Sequence, residues 1–315
     1  MSARTRPWLR VLLPVLAAAA LALGAVAATA APGRPSAARA PRAASAVGHA
    51  SGPACNPDAS SLRPSGPPQV TSGSFMATIR KRGYLIAGVD QNTYHFGFRN
   101  PFNGQIEGFD IDMIKAVAQA IFGNPNQVHY KAIPDSLREQ DVEDGTVDIV
   151  AHTMTILCSR LKHVDFSSVY FNAVQRVLVL NTSKATSLAD LRGQKVCATI
   201  KSDSLAAITA AGAIAVPVVY WTDCLVLLQQ GDVAAISTDD AILAGLQAQD
   251  PWTKIVGPPI SPQPYGLAIA KQHPDFVVFV NAVLQQLRTD GQWAASYAHW
   301  IGHPVPAPPQ AQYAD

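Results

Sequence analysis

Residues 153 to 167 read TMTILCSRLKHVDFS, with Thr153 and Thr155 just before a single arginine, Arg160, between two apolar runs. A guanidinium forks onto a carboxylate through two parallel N–H donors, a fixed geometry that makes arginine selective for such an anion. Polar residues follow strand-like runs elsewhere too: Asp90 after YLIAGV, Ser202 and Ser204 after KVCATI, and Asp239 with Asp240 after VAAIST. One cation, several hydroxyls and carboxylates together suit a free α-amino acid, with its carboxylate on Arg160 and its ammonium on Asp239.

These groups converge only if regular elements deliver them. FMATIRKRG predicts a short helix stopping at Gly83, and YLIAGVD a buried strand. GFDIDMIKAVAQAIFG sets Met113, Ile114, Val117, Ala118, Ile121 and Phe122 at helical spacing and stops at Gly123. A strand at VHYKAI, a helical turn around residues 137–142 and a strand at TVDIVAH follow. Strands alternating with helices predict an α/β fold with an open parallel sheet, whose ligands sit at the carboxyl ends of the strands. The chain also echoes itself: KRGYLIAGVD resembles LRGQKVCATI, and GTVDIVAHT resembles GDVAAISTD, in the same order. That order predicts two similar lobes, the second smaller.

With 315 residues, 48% hydrophobic, the chain can fill one large or two ordinary cores. A net charge of +2 lacks the basic stripe of a nucleic-acid binder. Residues 1–30 join a basic start to an apolar run ending in an A-x-A exit, the pattern of a cleaved signal peptide; an uncleaved membrane anchor is the alternative. Either places the rest outside the cytoplasm, secreted or membrane-associated. Residues 31–74, rich in Ala, Pro, Ser and Gly, read as a disordered tether. Four cysteines, Cys55, Cys158, Cys197 and Cys224, suggest two disulfides in an oxidising compartment, with three connectivities open. We favour Cys197 with Cys224, which leaves Cys55 beside Cys158. No spacing of Cys or His suits a metal, and no cofactor motif is present.

In sequence, GYLIAGVD, GQIEGFDIDMIKAVA, GTVDIVAHTMTI, SRLKHVDFSSVY, LADLRGQKVCA and LVLLQQGDVAAISTDDAILAG resemble the extracytoplasmic solute-binding proteins, family 3, of polar amino-acid ABC transporters, over about residues 76–303. The likeness is greatest to actinobacterial glutamine, glutamate and aspartate binders. The resemblance implies a two-lobed, type II periplasmic-binding-protein-like clamp, each lobe an open, mostly parallel sheet flanked by helices. Lobe 1 would hold residues 75–175 and 267–303, lobe 2 residues 176–266, with hinge strands at 174–180 and 264–270 and a loose or draped tail at 304–315. It further implies that Arg160, Thr155 and Ser204 hold the ligand α-carboxylate, and that Asp239, Thr153 and Thr155 take the ammonium.

Candidates for the ligand side chain are Arg138, Arg99, His152, Asp90, Tyr94, Phe96 and Lys201. Arg138 stands where relatives binding acidic amino acids carry arginine, and a second carboxylate needs a second cation, so glutamate or aspartate is favoured, then their amides. The sequence departs from the family at IKSDSL, glycine-free where relatives have a G-T-T/S-S turn, and at Leu157, Cys158 and His152. The implied partners are an amino acid and an ABC permease, with a monomeric binding protein. A sensor presenting the closed clamp to a membrane signalling protein and a small dehydratase on the same fold are the alternatives; no G-x-S-x-G, H-E-x-x-H or P-loop motif supports an enzyme.

Overall fold

The computed structural model describes residues 55–314; the predicted signal peptide and the start of the predicted tether lie outside the described residues. The helix α1 (Phe75–Arg82) is capped by the Ser74 hydroxyl, which accepts from Ala77 N at 3.2 Å, and is closed by Gly83 at φ 94°. There follow β1 (Leu85–Val89), a small antiparallel sheet of β2 (Asn92–Thr93), β3 (Gly97–Arg99) and β4 (Ile106–Glu107), and then α2 (Phe109–Phe122). Next come β5 (Val128–Ala132), α3 (Arg138–Glu143), β6 (Ile149–Ala151), β7 (Val164–Phe166) and the long β8 (Phe171–Leu180). The second half runs through β9 (Lys195–Thr199), α4 (Ser204–Ala210), β10 (Ile214–Val218), α5 (Trp221–Gln230), β11 (Ala235–Asp239) and α6 (Asp240–Gln249). It ends with β12 (Thr253–Val256), β13 (Pro262–Tyr265), β14 (Ala268–Ala270), α7 (Pro274–Thr289) and α8 (Gln292–Trp300).

Two large sheets result, ordered β5-β1-β6-β14-β7 and β10-β9-β11-β8-β12. The sequence echo falls on matching places: β1 and β9 are each the second strand, β6 and β11 each the third. In both sheets only the fourth strand runs against its neighbours, β14 in the first and β8 in the second. Each of these strands lies next to a crossing between lobes. The inner strands of the first sheet, β1, β6 and β14, are apolar because both faces are covered, whereas the edge strands β5 and β7 carry His129, Lys131 and Asp165. Ala87, Val89, Ile149 and Ala151 face α2, α7 and α8 through Ile114, Val117, Val280 and Trp293, while Val150 packs with Ile133, Val142 and Val164 on the other side. The second lobe has its own core, around Val177, Cys197, Cys224, Leu225 and Leu243.

Two boundaries differ from expectation. The hinge was expected at 174–180 and 264–270, but Val177 to Leu180 already pair with β11 and β12 inside the second sheet. The crossing ribbon is Phe171–Val174 against Pro262–Tyr265. The expected tether also stops earlier, because residues 55–74 are ordered. Cys55 is bonded to Cys158, the Ser61 hydroxyl donates to Phe166 O at 2.7 Å, and Asn281 Nδ2 donates to Ser61 Oγ and Leu62 O. Composition judged this segment by its lack of apolar bulk, whereas a disulfide and buried polar bonds fasten it. The tail drapes back here, with Tyr313 bridged to Ser61 and Ala314 N donating to Ser61 O at 2.9 Å. The second disulfide joins Cys197 in β9 to Cys224 in α5. Among the described residues no helix is long and apolar enough to cross a membrane.

Candidate ligand-binding site

The cleft between the lobes is lined from lobe 1 by Asp135, Arg138, Thr153, Thr155 and Arg160, and from lobe 2 by Ser202, Asp203, Ser204, Trp221, Thr238, Asp239 and Ile242. Most of these residues sit at or shortly beyond strand ends, where a doubly wound sheet binds its ligands; Arg138 opens α3, Arg160 follows the long loop after β6, and Ile242 lies in α6. The free space is about 10 Å³, room for about one water, so the lobes are closed on one another. Their closure is latched by the Thr199 hydroxyl on the Asp135 carboxylate and by Lys201 Nζ on Ser136 O at 3.2 Å. Gln263 in the crossing ribbon adds a relay: it accepts from Thr155 Oγ1 at 2.6 Å and donates to Asp203 Oδ2 at 2.8 Å.

Arg160 opens a short 3-10 turn two residues after Cys158, and its side chain is buried. Its Nη1 donates to Thr155 O at 2.8 Å, and its Nε stands 3.5 Å from Glu139 Oε1. Burial and then the nearby Arg138 lower its pKa, while Asp203, Glu139 and Asp135 oppose them; an arginine stays charged under such shifts. Thr153 holds φ at 43°, a left-handed conformation that β-branched residues avoid. Asp110 accepts from its N–H at 2.7 Å and from Tyr170 OH at 2.6 Å. Burial pushes the Asp110 carboxyl up to about 6 despite these bonds. The Thr153 hydroxyl is buried with no partner among the described residues.

Asp239 ends β11 at 4% exposure and accepts from Tyr265 OH at 2.7 Å. Burial, then the nearby Asp203, push its carboxyl up to about 8, with Tyr265 and Arg138 pulling the other way. A carboxylate so disfavoured is stabilised by any cation brought to it. Arg138 is engaged within lobe 1. Its Nη1 donates to His152 O at 3.0 Å and lies 3.4 Å from Asp135 Oδ1, and its Nε donates to Asp135 O. Burial would raise the Asp135 carboxyl, but Arg138, His152 and Thr199 together hold it below its ordinary value.

Of the residues singled out from the sequence, Arg138, Thr153, Thr155, Arg160, Ser202, Ser204 and Asp239 meet in this cleft. Six side-chain candidates do not line it. Asp90 turns back on its own loop, accepting from Gln91 N, Asn92 N and the Thr93 hydroxyl. Phe96 is core, 5.0 Å from the Phe171 ring and 5.9 Å from that of Phe109. Tyr94 is exposed and packs edge-on to Phe98, and Arg99 is exposed on the hairpin, donating to Gly104 O. His152 is buried behind Arg138 with Nε2 on Ile133 O, and Lys201 is spent on Ser136. Asp240 serves the crossing, accepting from Val174 N at 3.1 Å. Asp135, Trp221, Thr238 and Ile242 were missed, and Asp203 was noted only as a departure. Looking beyond the carboxyl ends of β5 and β10 as well would have found Asp135 and Trp221. A larger groove of about 890 Å³ lies among α2, α7 and α8, but its Asp112 is already bonded to Ser296 and Trp300.

Two α/β lobes joined by a crossing ribbon, with a buried guanidinium on one wall of the cleft and a buried carboxylate on the other, define a clamp for a small zwitterionic solute. The chain belongs to the bacterial extracellular solute-binding proteins, family 3, whose family model matches residues 85–303, and it is an amino-acid solute-binding protein. It is 34% identical to the ABC transporter glutamine-binding protein GlnH of Bacillus subtilis (strain 168), over 72% of this chain and 84% of that one. It is 37% identical to the glutamine-binding protein of Geobacillus stearothermophilus, over 62% and 75%. Among solved structures, an ancestral arginine-binding protein bound to glutamine is 33% identical with a TM-score of 0.66, covering 70% of this chain and 99% of that one.

Proposed function

We propose that the protein binds an amino acid with an uncharged amide side chain, glutamine first, and delivers it to the permease of an ABC transporter. The observation that carries this is the pairing of Arg160 and Asp239 across one closed cleft, a match for α-carboxylate and α-ammonium. The sequence favoured glutamate or aspartate because Arg138 was taken as a free second cation. In the structure Arg138 is already matched by Asp135, and Asp203 adds a further anion to the lining. An acidic side chain there would add one more negative charge, whereas an amide adds none and can donate to Asp203. The glutamine-binding names of similar proteins support the same choice.

A thermal-shift and calorimetric panel with glutamine, asparagine, glutamate and aspartate tests this, since a ligand of the native state raises the melting temperature. Glutamine is expected to give the largest shift, and Arg160→Ala to abolish all binding with the circular-dichroism spectrum unchanged. A larger shift with glutamate than with glutamine overturns the amide reading; no shift with any of the four, or full affinity in Arg160→Ala, overturns the clamp.

A further inference from the structure

Trp221 lines the cleft from lobe 2 at 4% exposure, and its indole Nε1 has no hydrogen-bond partner among the described residues. Buried indole N–H groups ordinarily find an acceptor, because the group can only donate and loses its water on burial. The backbone that carries the ring is held at two points. Trp221 is the first residue of α5, whose start is fixed by the Asp223 carboxylate accepting from Tyr220 N at 3.1 Å. Three residues on, Cys224 is bonded to Cys197 in β9, the strand that leads to Ser202, Asp203 and Ser204. The disulfide therefore ties the helix bearing the indole to the strand before the loop that forms the same wall.

Resting on the amino-acid assignment above, Arg160 takes one end of the ligand's main chain and Asp239 the other, which leaves the side chain to be read. We propose that Trp221 is the specificity-determining donor of lobe 2, its indole N–H bonding the side-chain carbonyl oxygen of the bound amino acid. The ring face supplies an apolar wall together with Ile242, and the N–H selects chains that end in an acceptor. A purely apolar side chain would leave the donor unsatisfied on closure, which is how a polar site rejects an isostere lacking the matching group.

The test compares glutamine with L-norvaline, which has no side-chain acceptor, on the full chain by calorimetry. Trp221→Phe keeps an aromatic face and removes the donor; it should weaken glutamine roughly tenfold more than norvaline. Equal weakening of both ligands, or no change for glutamine, overturns the proposal. A second readout is made on the wild-type protein and needs a variant only to assign one signal. In ¹⁵N-tryptophan-labelled wild-type protein, one indole N–H signal, identified by its absence from Trp221→Phe or Trp221→Tyr, should move downfield with glutamine and not with norvaline; a signal unmoved by glutamine overturns it. If the wild type prefers glutamate or asparagine and Trp221→Phe loses that ligand tenfold, the donor role stands and only the choice of glutamine falls.

Discussion

Asp239→Asn should strengthen the ligand-free protein and disable it at once. The carboxyl is buried and pushed up to about 8 from an ordinary 3.8. Because its folded pKa is raised, the folded state holds a proton that the unfolded chain gives up, and stability falls as pH rises from about 4 to about 8. At pH 7 the gap spans about three pH units at ~1.36 kcal/mol each, a ceiling of about 4 kcal/mol, which opening of the lobes reduces by returning the carboxylate to water. Asparagine keeps an acceptor for Tyr265 OH and carries no charge. Thermal denaturation of the two proteins from pH 4 to pH 8.5 should therefore show no advantage for the variant at the acid end and a growing one toward pH 8, up to several degrees. Glutamine should raise the melting temperature of the wild type and leave that of the variant unchanged, because the ammonium loses a charge-assisted bond. A variant destabilised equally at pH 5 and pH 8, or one that keeps the glutamine shift, would refute the assignment of Asp239.

Replacing Cys55 and Cys158 together by serine should lower stability by about 2–5 kcal/mol, since the bond closes a loop of 103 residues. Hydrogen exchange should quicken in residues 153–160, because Cys158 lies in the segment that presents Arg160; unchanged protection there would mean the strap does not support the site. Gly108→Ala should cost more than about 2 kcal/mol, because Gly108 sits at φ 136° where a Cβ would collide with the Phe96 carbonyl. Glutamine affinity should fall with it, since the displaced start of α2 carries Asp110, which holds Thr153; chemical denaturation and titration check both.

What could be read before the structure was what local chemistry specifies. The apolar spacing of α2, the serine cap and Gly83 stop of α1, and the repeated order of β1 with β6 and β9 with β11 are all local patterns. The strand-end rule then brought Thr153, Ser204 and Asp239 together without any contact being known. What escaped depends on partners distant in sequence or on which way a chain turns. Arg138 looked free because the sequence does not say which way its side chain turns: it folds back on Asp135, three residues earlier, and onto the His152 carbonyl. Asp90 has the right strand end, yet its carboxylate caps its own turn. Residues 55–62 have a disordered composition and are fastened by Cys158, Phe166 and Asn281, all more than 100 positions away.

The strand β14 lies between β6 and β7, although about 100 residues of lobe 2 and the crossing ribbon intervene in the chain. Lobe 2 is uninterrupted and can fold as soon as it has been synthesised, while lobe 1 must wait for β14, α7 and α8. The lobe that carries Arg160 is therefore completed last, and an interrupted nascent chain would carry a finished lobe 2 beside an unfinished lobe 1. Ser61 and Ala314 are already hydrogen-bonded neighbours. Joining the chain there through a short linker, and reopening it at the exposed turn after α5, would exchange the two histories, making lobe 1 the continuous one and lobe 2 the last to close.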